Sequence, residues 1–252
     1  MTEQQRFKSF DGVEIAWRTL GEGRPTLMLH GFLANAEFNW FAPGIAAAVA
    51  ATGRQVIAPD LRGHGHSAAP IDPAAWPSDV LAADQEALIA HLGLTDYDLV
   101  GYSLGARTAV RMVTRGARPA RLALGGMGDS GLLAAGARAA MFEDSIRHGE
   151  AARDPRAGRR VQAMMAASGL VPAAMLGVLT SFVATSEAQL RAIDIPTLVI
   201  AGQDDDDNGS AEGLAAMLTN ARAVRTTGDH LSAVMDPALA AGLSAFLSAQ
   251  TP

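Results

Sequence analysis

The chain contains no cysteine. That absence removes a disulfide framework, a thiolate zinc site and a cysteine nucleophile together. Charge is also sparse: 18% of the 252 residues are Asp, Glu, Lys or Arg, against about 25% in a typical soluble domain. The 20 Lys and Arg are outnumbered by 26 Asp and Glu. They form no basic run able to neutralise a phosphate backbone, so nucleic acid is not an expected partner. No stretch of about 18 consecutive apolar residues occurs, and the opening MTEQQRFK lacks the apolar centre of a secretion signal. A cytoplasmic protein with no membrane association is therefore expected. What is abundant is apolar: 49% hydrophobic residues supply the core of one large domain and exclude disorder as the main theme.

Short alternating runs from Arg6 to Phe10 and from Val13 to Thr19 flank Asp11-Gly12, a dipeptide suited to a two-residue type I′ hairpin turn. Apolar runs follow at Thr26–Leu29, Gln55–Ala58, Asp98–Val100, Arg121–Leu124, Pro196–Ala201 and Ala221–Arg225. Ala-rich segments long enough for helices separate them, and a closing helix is expected over Pro237–Ala249. This alternation predicts an α/β fold with a mostly parallel central sheet flanked by helices, whose ligands lie at the carboxyl ends of the strands. One interval breaks the rhythm. From Gly131 to Glu187 no strand is expected, and Ala, Met and Leu interrupted by Asp154-Pro155, Gly169 and Pro172 predict a helical insertion of about three pieces.

Directly after the run at Asp98 stands Gly101-Tyr102-Ser103-Leu104-Gly105, followed by helix-competent Ala106 to Val113. GxSxG in a strand, turn, helix context forces the serine into a strained backbone and leaves no room for side chains two places either side. The competing reading is an ordinary glycine-flanked tight turn. A serine hydroxyl needs a base to take its proton, and the base needs an orienting carboxylate. His230, on the loop after the last short strand, meets the positional requirement for the base. His91 and His148 fall within helical segments, and the His64/His66 pair has no accompanying ligand cluster, so no metal is expected. Upstream, His30-Gly31-Phe32 follows a strand; the Phe32 and Leu104 N–H groups are candidate oxyanion donors, and His30 is expected to brace the loop. After the run at Pro196 come Asp204, Asp205, Asp206 and Asp207. One of these can face the histidine, while the plain alternative for the others is a solvated acidic turn that caps a helix.

These residues resemble the α/β-hydrolase fold superfamily, in its serine-hydrolase branch with a helical lid. The resemblance rests on the His30-Gly31-Phe32 loop, on Asp60-Leu61-Arg62-Gly63-His64-Gly65-His66-Ser67, which is similar to the family's DxRGxGxS stretch, on the nucleophile elbow, and on carboxylate preceding histidine. It implies that Ser103 is the nucleophile, His230 the general base and then acid, and an aspartate after the seventh strand the orienting residue. In the family that acid commonly stands three places beyond the glycine ending the strand, which is Asp205; Asp204 and Asp206 are its neighbours. A family variant draws the acid from the end of the sixth strand, where Asp129 stands. The Asp60–Ser67 stretch is expected to be architectural.

The resemblance further implies a hydrolase core of residues 1–130 and 188–252 with a helical cap, 131–187, inserted after the sixth strand. Met141, Phe142, Met164, Met165, Met175, Leu176, Leu179 and Phe182 give the cap an apolar character; some pack it onto the core and others are candidates to line a pocket. The expected function is a cofactor-independent serine hydrolase of the carboxylesterase type, acting on small to medium esters through an acyl-enzyme. The alternatives are a lactone, thioester or C–C bond hydrolase using the same triad, or a ligand-binding receptor that keeps the fold with little turnover. A small ester-like molecule is the expected partner, and neither cofactor nor metal is expected. Oligomeric state is not written in any motif.

Overall fold

Five strands carry apolar residues at consecutive positions, the signature of strands covered on both faces. In the computed structural model, which describes residues 4–134 and 136–249, the strands are β1 (Gln5–Lys8), β2 (Glu14–Leu20), β3 (Arg24–Leu29), β4 (Arg54–Pro59), β5 (Asp98–Tyr102), β6 (Leu122–Gly125), β7 (Thr197–Gly202) and β8 (Ala221–Thr226). They form one sheet in the order β1-β2-β4-β3-β5-β6-β7-β8. β1, β2 and β4 pair antiparallel, and all pairings from β4 through β8 are parallel. The expected mostly parallel sheet is present.

Side-chain alternation divides the core. Leu27, Leu29, Leu99, Leu122, Leu124 and Val199 join one buried cluster, and their neighbours Met28, Val100, Ala123, Leu198 and Ile200 join another on the opposite face. The helices are α1 (Ile45–Ala50), α2 (Val80–His91), α3 (Leu104–Thr114), α4 (Asp129–Leu133), α5 (Gly136–His148), α6 (Pro155–Ala167), α7 (Pro172–Thr180), α8 (Glu187–Arg191), α9 (Ala211–Met217) and α10 (Pro237–Ser248). Residues of α1 and α10 cover the second cluster; α2, α3 and the helices between β6 and β7 contribute to the first. Prolines that interrupt the sequence pattern are helix starts here. Asp154 caps α6 by accepting the Arg156 and Ala157 N–H groups, with Pro155 in the first turn, and Pro172 opens α7. Among the described residues, no single helix is long and apolar enough to cross a membrane.

The first hairpin differs from the expected two-residue turn. Gly12 N–H donates to Ser9 O at 2.9 Å and Ser9 N–H to Val13 O at 2.8 Å, leaving a three-residue loop in which Gly12 alone has positive φ, +86°. A type I′ turn needs positive φ at both central residues. Asp11 stays out of that region because its carboxylate is committed elsewhere, to Val13 N–H and to Arg62.

That arginine organises the loop after β4. The Arg62 side chain is fully buried and donates from Nε and Nη2 to Asp84 on α2 (2.9 and 2.7 Å), from Nη1 and Nη2 to Asp11 (2.7 and 2.9 Å), and to Ala75 O. Asp60 accepts the Ala36 and His66 N–H groups. Ser67 Oγ donates to Asp60 O and accepts Ala16 N–H. Leu61 N–H donates to His30 Nε2 at 2.9 Å, and His30 Nδ1–H donates to Gly31 O at 2.8 Å. Every ring nitrogen of His30 is therefore used with the imidazole neutral. Burial holds His30 down at about 4, and burial with the adjacent His30 ring holds His64 down at about 3.

Two expectations follow for stability. Arg62→Met leaves the buried Asp84 carboxylate without its guanidinium and should cost about 3–5 kcal/mol, read as a lower urea midpoint; an unchanged midpoint would remove Arg62 from its organising role. The second concerns pH. Both folded histidine values lie below the 6.5 of a free imidazole, so the unfolded chain binds protons that the folded chain refuses. Stability is retained above about pH 6.5 and falls by about 1.4 kcal/mol per pH unit for each histidine as pH drops toward the folded values. Urea unfolding between about pH 7 and pH 5 should show this slope, and His64→Asn should make it shallower.

Candidate active site

β3 and β5 are hydrogen-bonded neighbours with Leu29 opposite Gly101. The segments that leave their carboxyl ends, His30-Gly31-Phe32 and Tyr102-Ser103, therefore emerge side by side. Ser103 sits at φ +52°, ψ −109°, a region costly for any side-chain-bearing residue. The flanking glycines explain how the turn closes. A Cβ on Gly105 would lie 1.9 Å from Leu29 O, and one on Gly101 would lie 2.3 Å from the Gly105 carbonyl. The hydroxyl is thereby lifted clear of the sheet at the start of α3. Ser103 N–H donates to Gly125 O at 2.8 Å, tying the elbow to β6.

β7 and β8 deliver the other two groups. With Gly202 opposite Thr226, Asp205 and His230 leave neighbouring strand ends. His230 Nδ1–H donates to Asp205 Oδ2 at 2.9 Å and lies 3.1 Å from Oδ1; Ser103 Oγ–H donates to His230 Nε2 at 2.9 Å. Asp205 is 3% exposed and His230 8%, so the pair is shielded while Ser103 stays accessible from a cavity. Asp204, Asp206 and Asp207 are exposed. Asp129 is occupied elsewhere, accepting Ser130 and Ser210 N–H groups.

Gly31 packs directly on the serine: a Cβ there would meet Ser103 Cβ at 3.6 Å. Its N–H donates to Asn39 Oδ1 at 2.8 Å, which fixes the His30–Gly31 peptide, while Gly31 O accepts from His30 Nδ1. Among the described residues, neither Phe32 N–H nor Leu104 N–H has a protein acceptor, and both residues border the same small cavity as Ser103. Two backbone donors beside the hydroxyl are thus left free of protein acceptors.

Sequence reasoning passed over three supports. Tyr102 OH donates to His230 O at 2.7 Å, holding the histidine loop; burial and then the Asp205 carboxylate push that phenol up, so it remains a donor. The signal was present, since Tyr102 is next to the serine, but its target lies 128 residues away. Asn39 is the second, on a π-helical turn, Glu37–Phe41, that no apolar period announces. The third is an ion pair, Arg138 to Asp207 at 2.7 Å. Burial opposes the Asp207 charge, but the Arg138 hydrogen bond and charge outweigh it and hold the carboxyl below its usual range.

Asp205, Asp207 and His230 each bring one donor atom within 4.8 Å of the others. They do not form a ready metal cage, because Asp205 and His230 are bonded to one another and Asp207 is held by a guanidinium. His64 is buried against His30, with ring centroids 5.1 Å apart, while His66 is exposed.

Ser103 and His230 open onto a cavity of about 330 Å³ walled mainly by apolar groups, including Phe32, Leu33 and Phe38 from the core and Phe142, Val161 and Met164 from α5 and α6. Of the apolar residues singled out in the sequence, Phe142 and Met164 line this cavity. Phe142, Leu179 and Phe182 line the small one beside it. Met165 and Met175 are buried in the core, with Leu176 packed against it.

A family profile described as alpha/beta hydrolase fold matches residues 25–122. Over 105 residues the chain is 38% identical to a non-heme chloroperoxidase of Kitasatospora aureofaciens, a segment covering 42% of this chain and 36% of that protein. The matched segments thus span about a third of the length of such relatives. Solved structures match along the whole chain. A hydrolase from Pseudomonas aeruginosa PA01 superposes with a TM-score of 0.80 at 24% identity, covering 98% of this chain and 99% of that one. The esterase RhEst1 of a Rhodococcus species gives 0.74 at 25% identity over the same shares. Sheet order, the profile match and these full-length superpositions give the chain the α/β-hydrolase fold.

Proposed function

We propose that the protein is a cofactor-independent serine hydrolase that cleaves small to medium carboxylic esters through an acyl-enzyme, with residues 131–187 as a helical cap over the site. The observation that carries this reading is the unbroken hydrogen-bond chain from Ser103 through His230 to Asp205. Esterase RhEst1 is a structural neighbour, which agrees with the reading.

Ser103 Oγ attacks the ester carbonyl carbon as its proton passes to His230 Nε2. Asp205 keeps Nδ1 protonated and stabilises the imidazolium. The negative charge gathers on the carbonyl oxygen, where Phe32 and Leu104 N–H groups receive it; one such donor is typically worth about 3 kcal/mol in the transition state. The C–O bond breaks, His230 protonates the departing alkoxide, and the acyl group remains on Ser103. Water then gives a proton to His230 and attacks the acyl carbon, releasing the acid and restoring the serine. Only side chains, backbone donors and water take part. A cavity of about 330 Å³ falls at the lower end of the usual range for small-molecule sites, about 300–1,000 Å³, which favours compact esters.

Turnover of p-nitrophenyl esters from acetate to decanoate tests this reading. Ser103→Ala should lower kcat by at least about 10⁴-fold with the fold intact by circular dichroism. Esterase activity retained in that variant would sink the assignment. For the acid, Asp205→Asn should cost about 10⁴-fold in kcat, whereas the exposed Asp206→Asn should stay within about threefold. Equal, mild losses in the two would take Asp205 out of the relay.

A further inference from the structure

Buried arginines in this protein are matched with carboxylates. Arg62 holds Asp84 and Asp11, Arg111 holds Asp79, and Arg54 and Arg121 face Asp98 at 2.9 and 3.8 Å. Arg107 departs from this pattern. It stands in the first turn of α3, four residues beyond the N-cap Ser103, and is 7% exposed. Nη2 donates to Gly131 O, and the guanidinium lies over the Phe182 ring, 4.9 Å from its centroid. Nη1 is sealed from solvent and has no hydrogen-bond partner. Among the described residues no carboxylate forms an ion pair with it; the charge that acts on it is another guanidinium, that of Arg138. Burial, then Arg138, bring its pKa down to about 10, so it remains a cation at neutral pH. An uncompensated buried charge is costly to fold around, and such groups concentrate at functional sites.

Arg107 and Arg138 share a cavity of about 30 Å³ with Ser103, Leu104 and Phe32. One water needs about 10–15 Å³ measured in this way, so the space suits about two oxygen-sized atoms. His230 does not line it; His230 borders only the large cavity. The leaving group must depart on the side of the acid that protonates it, which directs the alcohol to the large cavity and leaves the small one to the terminal oxygens of the acyl part.

Resting on the hydrolase reading above, we infer that Arg107 binds a carboxylate carried by the acyl part of the substrate. The preferred substrates are then esters whose acyl part ends in a carboxylate, with an apolar alcohol.

Benzyl alcohol release from monobenzyl glutarate and from benzyl 5-oxohexanoate, its uncharged isostere, reads this directly. The wild-type protein should favour the half-ester by about 10- to 100-fold in kcat/KM, the scale of a charged hydrogen bond. In Arg107→Met that ratio should collapse toward one, and Arg107→Lys should restore part of it. Equal losses on both esters with the ratio unchanged would make Arg107 a structural tie to Gly131 and Phe182 and overturn the inference. Glutarate binding to Ser103→Ala by calorimetry needs no turnover and separates the two readings. Binding that Arg107→Met abolishes supports the anion site even if no ester is cleaved. Absence of binding together with no preference for the half-ester overturns it.

Discussion

The close approach of α3 to the end of β3 sets everything else at this site. Gly105 touches the Leu29 carbonyl so tightly that no Cβ fits, and that contact forces the chain between β5 and α3 through the positive φ of Ser103. Strain of this kind costs about 1–3 kcal/mol and persists only where the surroundings over-determine it. Here they do, because Val100, Leu99 and Leu29 are fully or almost fully buried on either side of the turn. The same approach yields three products. It exposes the Ser103 hydroxyl, it starts a helix whose first N–H, on Leu104, has no intrahelical acceptor, and it lays Gly31 against Ser103 so that the Phe32 N–H faces the same point.

A second tier of buried polar groups keeps that arrangement in register. Arg62 joins the first hairpin, the loop after β4 and α2 through Asp11, Ala75 and Asp84. The same loop offers Leu61 N–H to His30, whose other nitrogen holds Gly31 O. A disturbance at the hairpin thus reaches the Gly31–Phe32 peptide through three hydrogen-bonded steps. Networks of this kind rigidify when each member is satisfied and are expensive when one is removed. This accounts for the DxRGxGxS-like stretch without giving any of its residues a proton-transfer task.

Much of this was legible in the sequence because the physics is local. Strands buried on both faces must read as apolar runs, and the five runs that became β3 to β7, like the edge run that became β8, lie within two residues of the expected limits at either end. Ser103 and His230 were legible because strained turns demand glycine and because loops after strand ends are where parallel sheets place ligands. The carboxylate was harder. Four adjacent aspartates are equivalent in sequence, and the choice of Asp205 is made by a turn: its N–H bonds back to Gly202 O, which directs the side chain inward while its neighbours face solvent. The hairpin turn was misjudged because Asp11 is recruited by an arginine 51 residues away, a contact no local rule contains. Tyr102, Asn39 and Arg138 were missed for the same reason.

Charge is unevenly distributed around Ser103. His230, Leu231 and Met235 border a large, largely apolar cavity whose wall also carries Arg138, Arg160 and Asp207, while Arg107 and Arg138 border a small one. Arg138 is paired with Asp207, whereas the buried Arg107 has no carboxylate partner among the described residues. An apolar residue there would fill the same space between Phe182 and Gly131 at no electrostatic cost. A guanidinium in that position is useful only when something negative arrives. Because Arg107 sits in the first turn of the helix that Ser103 opens, that charge is held near the hydroxyl by a rigid element rather than by a loop. A ligand that meets both is thereby selected by charge.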